Sequence, residues 1–369
     1  VPGTDAPVET LEQARRVAAE IGYPVMLKAA AGGGGKGMRR VFAGAELEAA
    51  LRDATSEAER AFKSGAVYIE KLIEKPRHIE IQVLGDQTGH MIYLGERECS
   101  LQRRHQKVVE ECPSPLVHER PEMRKAMGEA AVRVARSAGY WNAGTVEFLV
   151  DADHRFYFLE MNTRLQVEHP VTELVTGLDL VHWQLRIAAG QPLTLRQQDV
   201  SWRGWAIECR ICAEDPDNQF LPSPGRIHQL DRPSGPGIRI DSGVYAGWTV
   251  PLEYDPLLAK IVVWAETRDA AIARLRRVLA EYYVQGIKTN ISFFRGIIED
   301  ESFLRGDLHT GLIEEYFGRQ EKRPPRQDLA AVAALVSGIH RRRLSPNTAG
   351  AAAANGSPWL LEGRARLLR

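Results

Sequence analysis

The amino-acid sequence predicts an α+β protein in which helices pack against short strands joined mainly as hairpins. The first observation is length, since 369 residues are enough for two or three domains with separate apolar cores. The second is that helical apolar patterns, for example at residues 45–62 and 268–282, alternate with strand-like runs. The third is that turn residues separate several of these runs. Together these patterns predict a multidomain α+β chain.

Composition excludes several classes of function. The 48 basic and 48 acidic residues give a formal net charge of +0, so no global field attracts nucleic acid or acidic membranes. No apolar run approaches the ~18 residues of a membrane span, and Val1-Pro2-Gly3 has no secretory-signal pattern. Four cysteines are too few for a disulfide scaffold, and no second pair completes a zinc set with Cys209 and Cys212. We therefore expect a cytoplasmic protein (mitochondrial matrix in a eukaryote), and the missing initiator Met suggests a fragment.

The first helix and strand lead into a glycine-rich loop. The capping-box pattern of residues 10–13 begins a helix that Gly22 ends, and a short strand containing Lys28 follows. The loop Gly32-Gly33-Gly34-Gly35-Lys36-Gly37 contains G-x-G-x-x-G, but residues 38–42 predict a strand where a dinucleotide fingerprint requires a helix. It also lacks the G-K-[S/T] of a Walker A loop. The remaining interpretations are a phosphate-binding hairpin tip, favoured by the flanking strands and Lys28, and a flexible linker.

Strands in the middle of the chain carry polar side chains. One predicted strand would align His78, Glu80 and Gln82 on one face, because successive side chains alternate. A further strand over residues 91–95 precedes a run, residues 96–107, that mixes Glu, Arg and His. Such a run is usually a solvated loop. Its position favours an ordered active-site loop.

An acidic hairpin gives the sharpest prediction of a site. Two strand-like runs are joined by the turn at residues 151–155. If the hairpin is symmetric about the bond between residues 153 and 154, Glu147 lies opposite Glu160. Two like charges in that position are destabilising unless something positive lies between them. With the Asn162 carbonyl, the carboxylates form an all-oxygen set that suits Mg²⁺ bridging substrate phosphates.

The run from residue 160 to residue 170 extends this prediction. Read with a period of two, an extended chain would line one wall with polar groups. These are Glu160, Asn162, Arg164, Gln166 and Glu168. A solvated surface strand is the alternative for an alternation of this kind. The opposed acids of the preceding hairpin favour a metal–nucleotide site.

The remainder of the chain predicts a further α+β unit and a tail. Residues 204–264 are rich in strands, and helices follow at 268–282 and 290–299. An Ala-rich helix at 328–341 then precedes a linker rich in Pro, Ala and Gly. We expect residues 319–369 to be helix, linker and the start of a truncated following domain.

A series of motifs follows a known family order. The motifs are Lys28 with Gly32–Gly37, Tyr68–Lys71, Arg77–Glu80, Gln102–Lys107, Glu160–Pro170, Glu208–Pro216, Phe220–Gly225 and Gly286–Asn290. In this order they resemble the biotin carboxylase family over about residues 1–318. The resemblance implies an ATP-grasp domain at 1–200, with a lid subdomain at about 1–72 and the nucleotide between two α/β subdomains. It also implies a biotin carboxylase C-terminal α+β domain at 201–318.

The resemblance implies a role for each matching position. ATP would be held by Lys28, Gly34, Gly35, Glu70, Lys71, Leu72, Ile73, His78, Gln102, His105, Glu147 and Glu160. Mg²⁺ (or Mn²⁺) would be held by Glu147, Glu160 and Asn162. Glu168 would be the general base on bicarbonate, and Arg239 would stabilise the biotin enolate. Bicarbonate would be positioned by Lys107, Arg164, Gln166 and Val167.

The implied chemistry explains these residue types. Bicarbonate is a poor nucleophile, so a carboxylate must take its proton while cations hold both anions in line with the γ-phosphate. Carboxyphosphate then breaks down to CO₂ and phosphate, and the phosphate can deprotonate N1 of biotin. The enolate oxygen needs a fixed positive partner. The resemblance implies a homo-oligomer, biotin on a carrier domain and a separate carboxyltransferase subunit, within an acetyl-, propionyl- or methylcrotonyl-CoA-type carboxylase.

Two alternatives remain open. A carbamoyl-phosphate-synthetase-like or purine-pathway ligase would share the lid and the acidic hairpin, but not the 208–224 motifs or Arg239. A non-catalytic assembly fragment would bind partner domains through residues 319–369. Biotin carboxylases also carry a preceding α/β domain that contributes a nucleotide lysine, and this sequence begins after it. We therefore expect weak nucleotide binding or exposed apolar surface where that domain would dock.

Overall fold

The structure is a computed structural model that describes residues 1–30, 37–320, 332 and 334–338. Residues 1–319 form one compact unit, and 320–369 form a second. The predicted nucleotide contacts Gly34 and Gly35 lie outside the described residues, as does most of the predicted tail. Beyond residue 320, the described residues of that tail are 332 and 334–338, and these are helical.

The N-terminal lobe, residues 1–72, has a three-stranded antiparallel sheet in the order β2-β1-β3. Its elements are α1 (Leu11–Ile21), β1 (Val25–Ala29), β2 (Met38–Val41), α2 (Leu47–Phe62) and β3 (Val67–Lys71). Thr10 caps α1 by accepting a hydrogen bond from the Gln13 amide, and Gly22 ends the helix with φ 77°, as the sequence predicts. The lobe has its own apolar core, which includes Leu27 and Ile69.

The central part contains the predicted acidic hairpin. Its elements are β4 (Arg77–Gly85), β5 (Met91–Arg103), β6 (Gln106–Cys112), α3 (Pro115–His118), α4 (Pro121–Ser137), β7 (Asn142–Val150), β8 (Phe156–Asn162), α5 (His169–Thr176) and α6 (Leu180–Ala188). Glu147 pairs with Glu160 across β7 and β8, which confirms the predicted opposition of these two carboxylates. The pairing near the turn is shifted, because Phe148 pairs with Phe158 and Leu159 is an extra residue on β8.

The C-terminal part is rich in strands, as predicted. Its strands are β9 (Trp205–Cys212), β10 (Glu214–Asp215), β11 (Leu221–Pro222), β12 (Gly225–Arg226), β13 (Gln229–Asp231), β14 (Ile238–Ser242), β15 (Thr249–Val250), β16 (Leu257–Ala265) and β17 (Tyr283–Gln285). Its helices are α7 (Arg268–Glu281), α8 (Ile291–Ile297), α9 (Glu301–Arg305) and α10 (Leu312–Arg319). The two predicted helices of this part correspond to α7 and α8.

One eight-stranded antiparallel sheet joins the central and C-terminal parts. Its order is β14-β16-β9-β6-β5-β4-β7-β8. The junction is the pairing of β6 with β9, in which Glu110 lies opposite Glu208. The sheet therefore crosses the predicted domain boundary between residues 200 and 201, and the division into domains at that point stays a prediction. None of the helices in the described ranges has both the length and the apolarity that a membrane span requires.

The two faces of this sheet differ in character. On β4, Ile79 and Ile81 belong to an apolar core that α4 covers. The intervening Glu80 and its neighbours His78 and Gln82 face the other side and are buried, so the predicted polar face is correct. Helix α5 contacts β5, β6, β9 and β16. Polar side chains on this face are therefore held inside the protein.

Two predictions of secondary structure near this face were wrong. Residues 96–107 are not a loop, because β5 continues to Arg103 and β6 begins at Gln106. The intervening Arg104 and His105 have φ values of 51° and 67° and make a two-residue turn. The extended wall over residues 160–168 was also wrong beyond Asn162, where β8 ends. Residues 163–168 then turn into α5, so that a turn, not a strand, presents Gln166 and Glu168.

Candidate active site

Eight charged side chains meet on the face of the sheet that α5 covers. We call this set the charged cluster: Glu80, Arg97, Lys107, Glu110, Glu147, Glu168, Glu208 and Arg210. The carboxyl-bearing residues are at most 4% exposed, and the Arg97 side chain is fully buried. Burying so many charges is costly unless each is paired and hydrogen-bonded. The contacts within the cluster meet most of that requirement.

Lys107 lies at the centre of three carboxylates. Its Nζ donates to Glu80 at 2.5 Å, to Glu147 at 2.8 Å and to Glu168 at 2.7 Å. Burial by itself lowers the pKa of this ammonium group, but the carboxylates, Glu80 first among them, raise the pKa above its usual value. Lys107 is therefore a fixed positive charge. Because it touches Glu168, the structure brings together two residues that the sequence assigned to one site.

Arg97 donates hydrogen bonds to five side chains on this face of the sheet. Its guanidinium donates to Glu80, to Gln82 at 2.7 Å and to Gln166 at 3.2 Å. It also donates to two threonine hydroxyls, those of Thr145 and Thr172, at 3.0 Å each. Although burial raises the pKa of the Glu80 carboxyl, Arg97 and then Lys107 lower that pKa to about 2. Arg97 thus orients Gln166 and keeps Glu80 ionised.

Glu147 connects the charged cluster to the acidic hairpin. Its Oε1 accepts from Lys107, and from the amide nitrogens of Asn162 and Gln166 at 2.9 Å each. Its Oε2 lies 3.0 Å from Nε2 of His78, although the two atoms lack the alignment of a full hydrogen bond. Burial raises the pKa of Glu147, and the donors, with His78 first, lower it well below its usual range.

The orientation of the His78 ring follows from Gln102. The Gln102 side-chain amide nitrogen donates to the Cys99 carbonyl at 2.9 Å, which fixes the direction of the amide. The same nitrogen lies 2.6 Å from His78 Nδ1, so Nδ1 accepts and a neutral ring carries its proton on Nε2. Nε2 is the ring atom that lies 3.0 Å from Oε2 of Glu147. His78 and Gln102 are therefore joined to the site through a carboxylate that the sequence placed in it.

Arg210 joins Glu168 to the sheet. Its Nε donates to Oε1 of Glu110 at 2.6 Å, and its Nη2 donates to Oε2 of Glu168 at 2.9 Å. Burial lowers and the surrounding carboxylates raise its pKa, and the net effect is a rise. Arg210 was not predicted from the sequence as part of the site, although its spacing of two from Glu208 on a predicted strand was a usable signal.

The turn before α5 offers groups suited to an anion. The exposed Arg164 guanidinium makes long hydrogen bonds to Asn162 and Leu165, at 3.4 Å and 3.3 Å. The amides of Val167 and Glu168 donate to no backbone carbonyl in the described part of the chain. They precede α5, whose N-terminus carries partial positive charge. The Val167 carbonyl is held by Lys260 Nζ at 2.7 Å, which fixes this turn.

Arg239 lies in a neighbouring ion-pair chain and does not contact Glu168. Its guanidinium binds both oxygens of Asp241, at 2.9 Å and 3.0 Å, and donates to Glu173 at 2.7 Å. Asp241 also lies 3.4 Å from Lys260, the residue that holds Val167. Arg239 therefore borders the site, with its donors already facing carboxylates.

The predicted nucleotide residues of the N-terminal lobe do not contact the charged cluster. Lys28 on β1 forms an ion pair with Glu70 on β3, and both are about one third exposed. The Lys71 ammonium instead donates to the carbonyls of Gly22 and Tyr23, where α1 ends. Leu72 donates its amide to Pro24. The predicted contacts Ile73 and His105 lie just after β3 and at the exposed β5–β6 turn, respectively.

The acidic hairpin fits a hard divalent cation. Glu147 and Glu160 face each other across the hairpin, and Asn162 follows on the same face of β8. Glu160 is exposed and has no hydrogen bond or ion pair to any described residue. Ligand atoms of His78, Glu80 and Glu147 also lie within 4.8 Å of one another. The oxygen atoms of Glu147, Glu160 and Asn162 are the kind of ligand that Mg²⁺ prefers, and Mn²⁺ would accept the same three residues.

Comparisons with protein families agree with this arrangement. Residues 1–196 match the family profile described as the carbamoyl-phosphate synthase L chain, ATP binding domain. Residues 208–315 match the biotin carboxylase C-terminal domain. The two matches together cover both sides of the β6–β9 junction. The N-terminal match by itself would suit both a carbamoyl-phosphate-synthetase-like ligase and a biotin carboxylase, whereas the second match separates them.

Two individual proteins are similar to this chain over most of its length. The chain is 52% identical over 316 residues to a pyruvate carboxylase subunit of Methanothermobacter thermautotrophicus, spanning 86% of this chain and 64% of that protein. It is 48% identical over 363 residues to the propionyl-CoA carboxylase alpha chain of Ruegeria pomeroyi, spanning 92% of this chain and 53% of that protein. The chain thus spans about half to two thirds of the length of these relatives.

A solved structure matches the fold directly. It is the biotin carboxylase domain dimer of the Hydrogenobacter thermophilus 2-oxoglutarate carboxylase, in complex with MgADP, ADP and bicarbonate. The TM-score is 0.79 at 48% sequence identity, covering 86% of this chain and 69% of that one. At this identity and coverage, the similarity reaches beyond a shared general fold.

Proposed function

The chain belongs to the biotin carboxylase family, and on that premise we propose that it carboxylates biotin with ATP and bicarbonate. Its fold is the ATP-grasp biotin carboxylase fold with the C-terminal domain of that family. The single observation that carries the proposal is the contact of Glu168 with Lys107 at 2.7 Å, at the start of α5. It pairs a buried carboxylate with a fixed ammonium group beside amides suited to an anion.

Glu168 is the general base in this proposal. Lys107 donates to its Oε1 and Arg210 donates to its Oε2, so these hydrogen bonds fix the orientation of the carboxylate relative to a bound bicarbonate. Removal of the bicarbonate proton creates the nucleophile that attacks the γ-phosphate. A fixed base placed in a dry site contributes about 10²–10⁴ in rate.

Bicarbonate would bind between Lys107 and the turn before α5. Lys107 supplies a charge that its carboxylate neighbours keep protonated. Gln166 is buried and is fixed on one side by Arg97. Arg164 is exposed and weakly bonded, so it can close on the anion when it arrives, and the Val167 amide adds a donor. These groups bring two negatively charged reactants together, which is the main obstacle to this step.

ATP would lie between the N-terminal lobe and the sheet. Lys28, now paired with Glu70, would exchange this partner for the phosphates, while residues 70–73 would border the adenine. On the sheet side, His78 and Gln102 form one hydrogen-bonded pair. Glu147, Glu160 and Asn162 would hold Mg²⁺, which when bound neutralises phosphate charge.

For the biotin enolate, the geometry favours Arg210 over the predicted Arg239. Arg210 contacts the base Glu168 directly and binds its two carboxylates through Nε and Nη2. Its Nη1 donates to no described residue, so this nitrogen is available to an enolate oxygen. Arg239 has carboxylate partners on all three nitrogens. The role of Arg239 therefore stays a prediction, and Arg210 is the stronger candidate.

The carboxyl acceptor is a separate question from the reaction at this site. We propose that carboxybiotin is carried on a biotin carrier domain to a carboxyltransferase, as in an acyl-CoA carboxylase. The support is the relative named propionyl-CoA carboxylase alpha chain, which matches 92% of this chain. Relatives named for pyruvate and 2-oxoglutarate keep a 2-oxo acid acceptor as the second candidate. A homodimer is likewise proposed, since the Hydrogenobacter relative is a dimer.

The test is phosphate release from Mg-ATP and bicarbonate, with and without free biotin, for wild type and Glu168→Gln. The expected result is biotin-stimulated release that Glu168→Gln reduces by about 10²–10⁴-fold, with Mg-ATP binding retained. Release that biotin does not change, in a protein that binds Mg-ATP normally, would contradict the proposal. Carbamoyl phosphate formation with ammonia would instead support the carbamoyl-phosphate-synthetase-like alternative. Absence of both reactions would favour an assembly role.

A further inference from the structure

Two members of the charged cluster have no part in the proposed chemistry. Glu110 on β6 and Glu208 on β9 lie directly opposite each other in the antiparallel register. Opposed residues of such a pair point to the same face, with Cβ atoms about 4.5–5.5 Å apart. Both side chains are fully buried. Two ionised carboxylates in this position would repel each other strongly in a low-dielectric interior.

The hydrogen bonds of the pair are incomplete. Glu110 accepts from Arg210 through Oε1, but its Oε2 has no donor, and neither oxygen of Glu208 has a donor in the described part of the chain. Buried polar atoms without partners are rare, because each one costs free energy. One proton between the two carboxyl groups removes most of this cost and leaves one oxygen of Glu208 without a donor among the described residues. It satisfies Oε2 of Glu110, gives Glu208 a partner and removes one of the two opposed charges.

The surrounding charges also favour one added proton. Three cations, Arg97, Lys107 and Arg210, whose side chains are at most 18% exposed, face five carboxyl groups of the cluster. The charged groups that face the pair from neighbouring elements are Lys107, Glu168, Arg210 and Lys260. Glu208 has no hydrogen bond from any of the described cations, whereas Glu110 accepts a hydrogen bond from Arg210. The proton therefore belongs on Glu208. Burial raises the pKa of both groups, but Arg210 lowers that of Glu110, whereas the pKa of Glu208 stays well above the usual range.

We propose that Glu208 is a neutral carboxylic acid that donates a hydrogen bond to Glu110, and that this pair positions Arg210 against the base Glu168. The inference deepens the proposed function and rests on it for the role of Arg210. Glu110 keeps its charge and its Oε1 contacts both Nε and Nη2 of Arg210, which holds Nη2 in place for its hydrogen bond to Glu168. Glu208 is thus a positioning residue that acts through two others. A charged Glu208 would compete with Glu110 and Glu168 for Arg210.

The first test measures the proton itself. Infrared difference spectra of wild type against Glu208→Gln, recorded in D₂O at about pH 8, should show the C=O stretch of a buried protonated carboxyl in wild type alone. The same band should persist in Glu110→Gln, because Glu208 remains neutral there. A wild-type spectrum without the band, or a band that Glu208→Gln leaves intact, overturns the proposal. This readout is independent of activity.

The second test separates position from charge. Gln at 208 is neutral and keeps an N–H donor for Glu110, whereas Leu is neutral and has none. We expect Glu208→Leu to lose about 10-fold or more in biotin-dependent kcat, since a hydrogen bond to a charged group is lost. Glu208→Gln should lose less than about threefold. The acid limb of the pH–rate profile should move upward in Glu208→Leu, because Glu110 then takes up a proton more readily.

The outcomes of the two tests are distinguishable. Equal losses of kcat in the Gln and Leu variants, at equal thermal stability, would show that the Glu208 charge is needed and would overturn the proposal. An unmoved acid limb in Glu208→Leu would also overturn it. If wild type shows no biotin-stimulated turnover, the proposed function fails instead. The infrared band then still decides whether Glu208 holds a proton.

Discussion

The charged cluster and the N-terminal lobe are built in opposite ways. In the cluster, Lys107, Arg97 and Arg210 are each bonded to two or more protein groups. In the lobe, the predicted phosphate ligand Lys28 has one partner, Glu70, and about one third of its side chain is exposed. The lobe is held by its own apolar core, and the cluster by its ion pairs. The chemical groups are therefore fixed in advance, whereas the nucleotide contacts are left for a ligand to complete.

This difference follows from what each region must do. Groups that stabilise a transition state act best when they are held in place in a dry site, because little reorganisation is then needed. A lobe that admits a nucleotide gains from sparse contacts that can be exchanged for phosphates. The following substitutions should therefore have unlike effects in the two regions.

Removing the central cation should give the largest effect. Lys107→Met leaves Glu80, Glu147 and Glu168 facing one another without their shared ammonium group. We expect the free energy of unfolding to fall by about 3–5 kcal/mol, measured by urea denaturation at neutral pH. Lys107→Arg, which keeps the charge, is the matched control and should lose much less. A loss below about 1 kcal/mol in Lys107→Met would mean that the cluster is not held by its ion pairs.

Comparing the two arginines sharpens the boundary of the cluster. Arg210→Met should reduce biotin-dependent kcat by about 10²–10³-fold, because it removes the cation that contacts Glu168. Arg239→Met should cost about 10-fold or less, since that arginine acts one ion pair further away. Both variants should bind Mg-ATP as wild type does. The opposite order of effects would return the enolate role to Arg239, as the sequence predicts.

Acid should weaken the cluster through Glu80. Its folded pKa of about 2 lies below the usual value, so this carboxyl contributes stability that is fully present above about pH 4.5 and is lost as the pH falls toward 2. The contribution is about 3 kcal/mol at most by linkage. Urea unfolding of wild type and Glu80→Gln across this window measures it. A stability difference between the two proteins that does not change with pH would contradict the assignment.

The smallest effects are expected in the lobe. Lys28→Ala should raise the KM for ATP about 10-fold while changing stability by less than about 1 kcal/mol, because a partly exposed ion pair is weak. Arg15→Ala is the matched control: it breaks an exposed ion pair with Glu48 in the same lobe and should change stability by less than about 1 kcal/mol without changing the KM for ATP. Equal KM values for wild type and Lys28→Ala would remove Lys28 from the nucleotide site.

Several parts of the site could be predicted from periodicity. The predicted opposition of Glu147 to Glu160 is observed, although the pairing nearest the turn differs by one residue from the symmetric hairpin that the prediction assumed. It was correct only because Leu159 is an extra residue on β8, and no feature of the sequence marked that bulge. The β5–β6 turn was missed for a related reason. A turn with positive φ at both central residues usually has Asn-Gly at those positions. In this protein the two central residues are Arg104 and His105.

Sequence by itself determined the repeating and local features of this protein. Strand alternation set the polar face of β4, capping residues set the ends of α1, and the order of motifs indicated the family. Only the tertiary structure decided which charges meet. The pairing of β6 with β9 brings Glu110 to Glu208 across about a hundred residues, and it carries Arg210 to Glu168. Contacts at that separation depend on how the sheet is assembled, and no local preference encodes them.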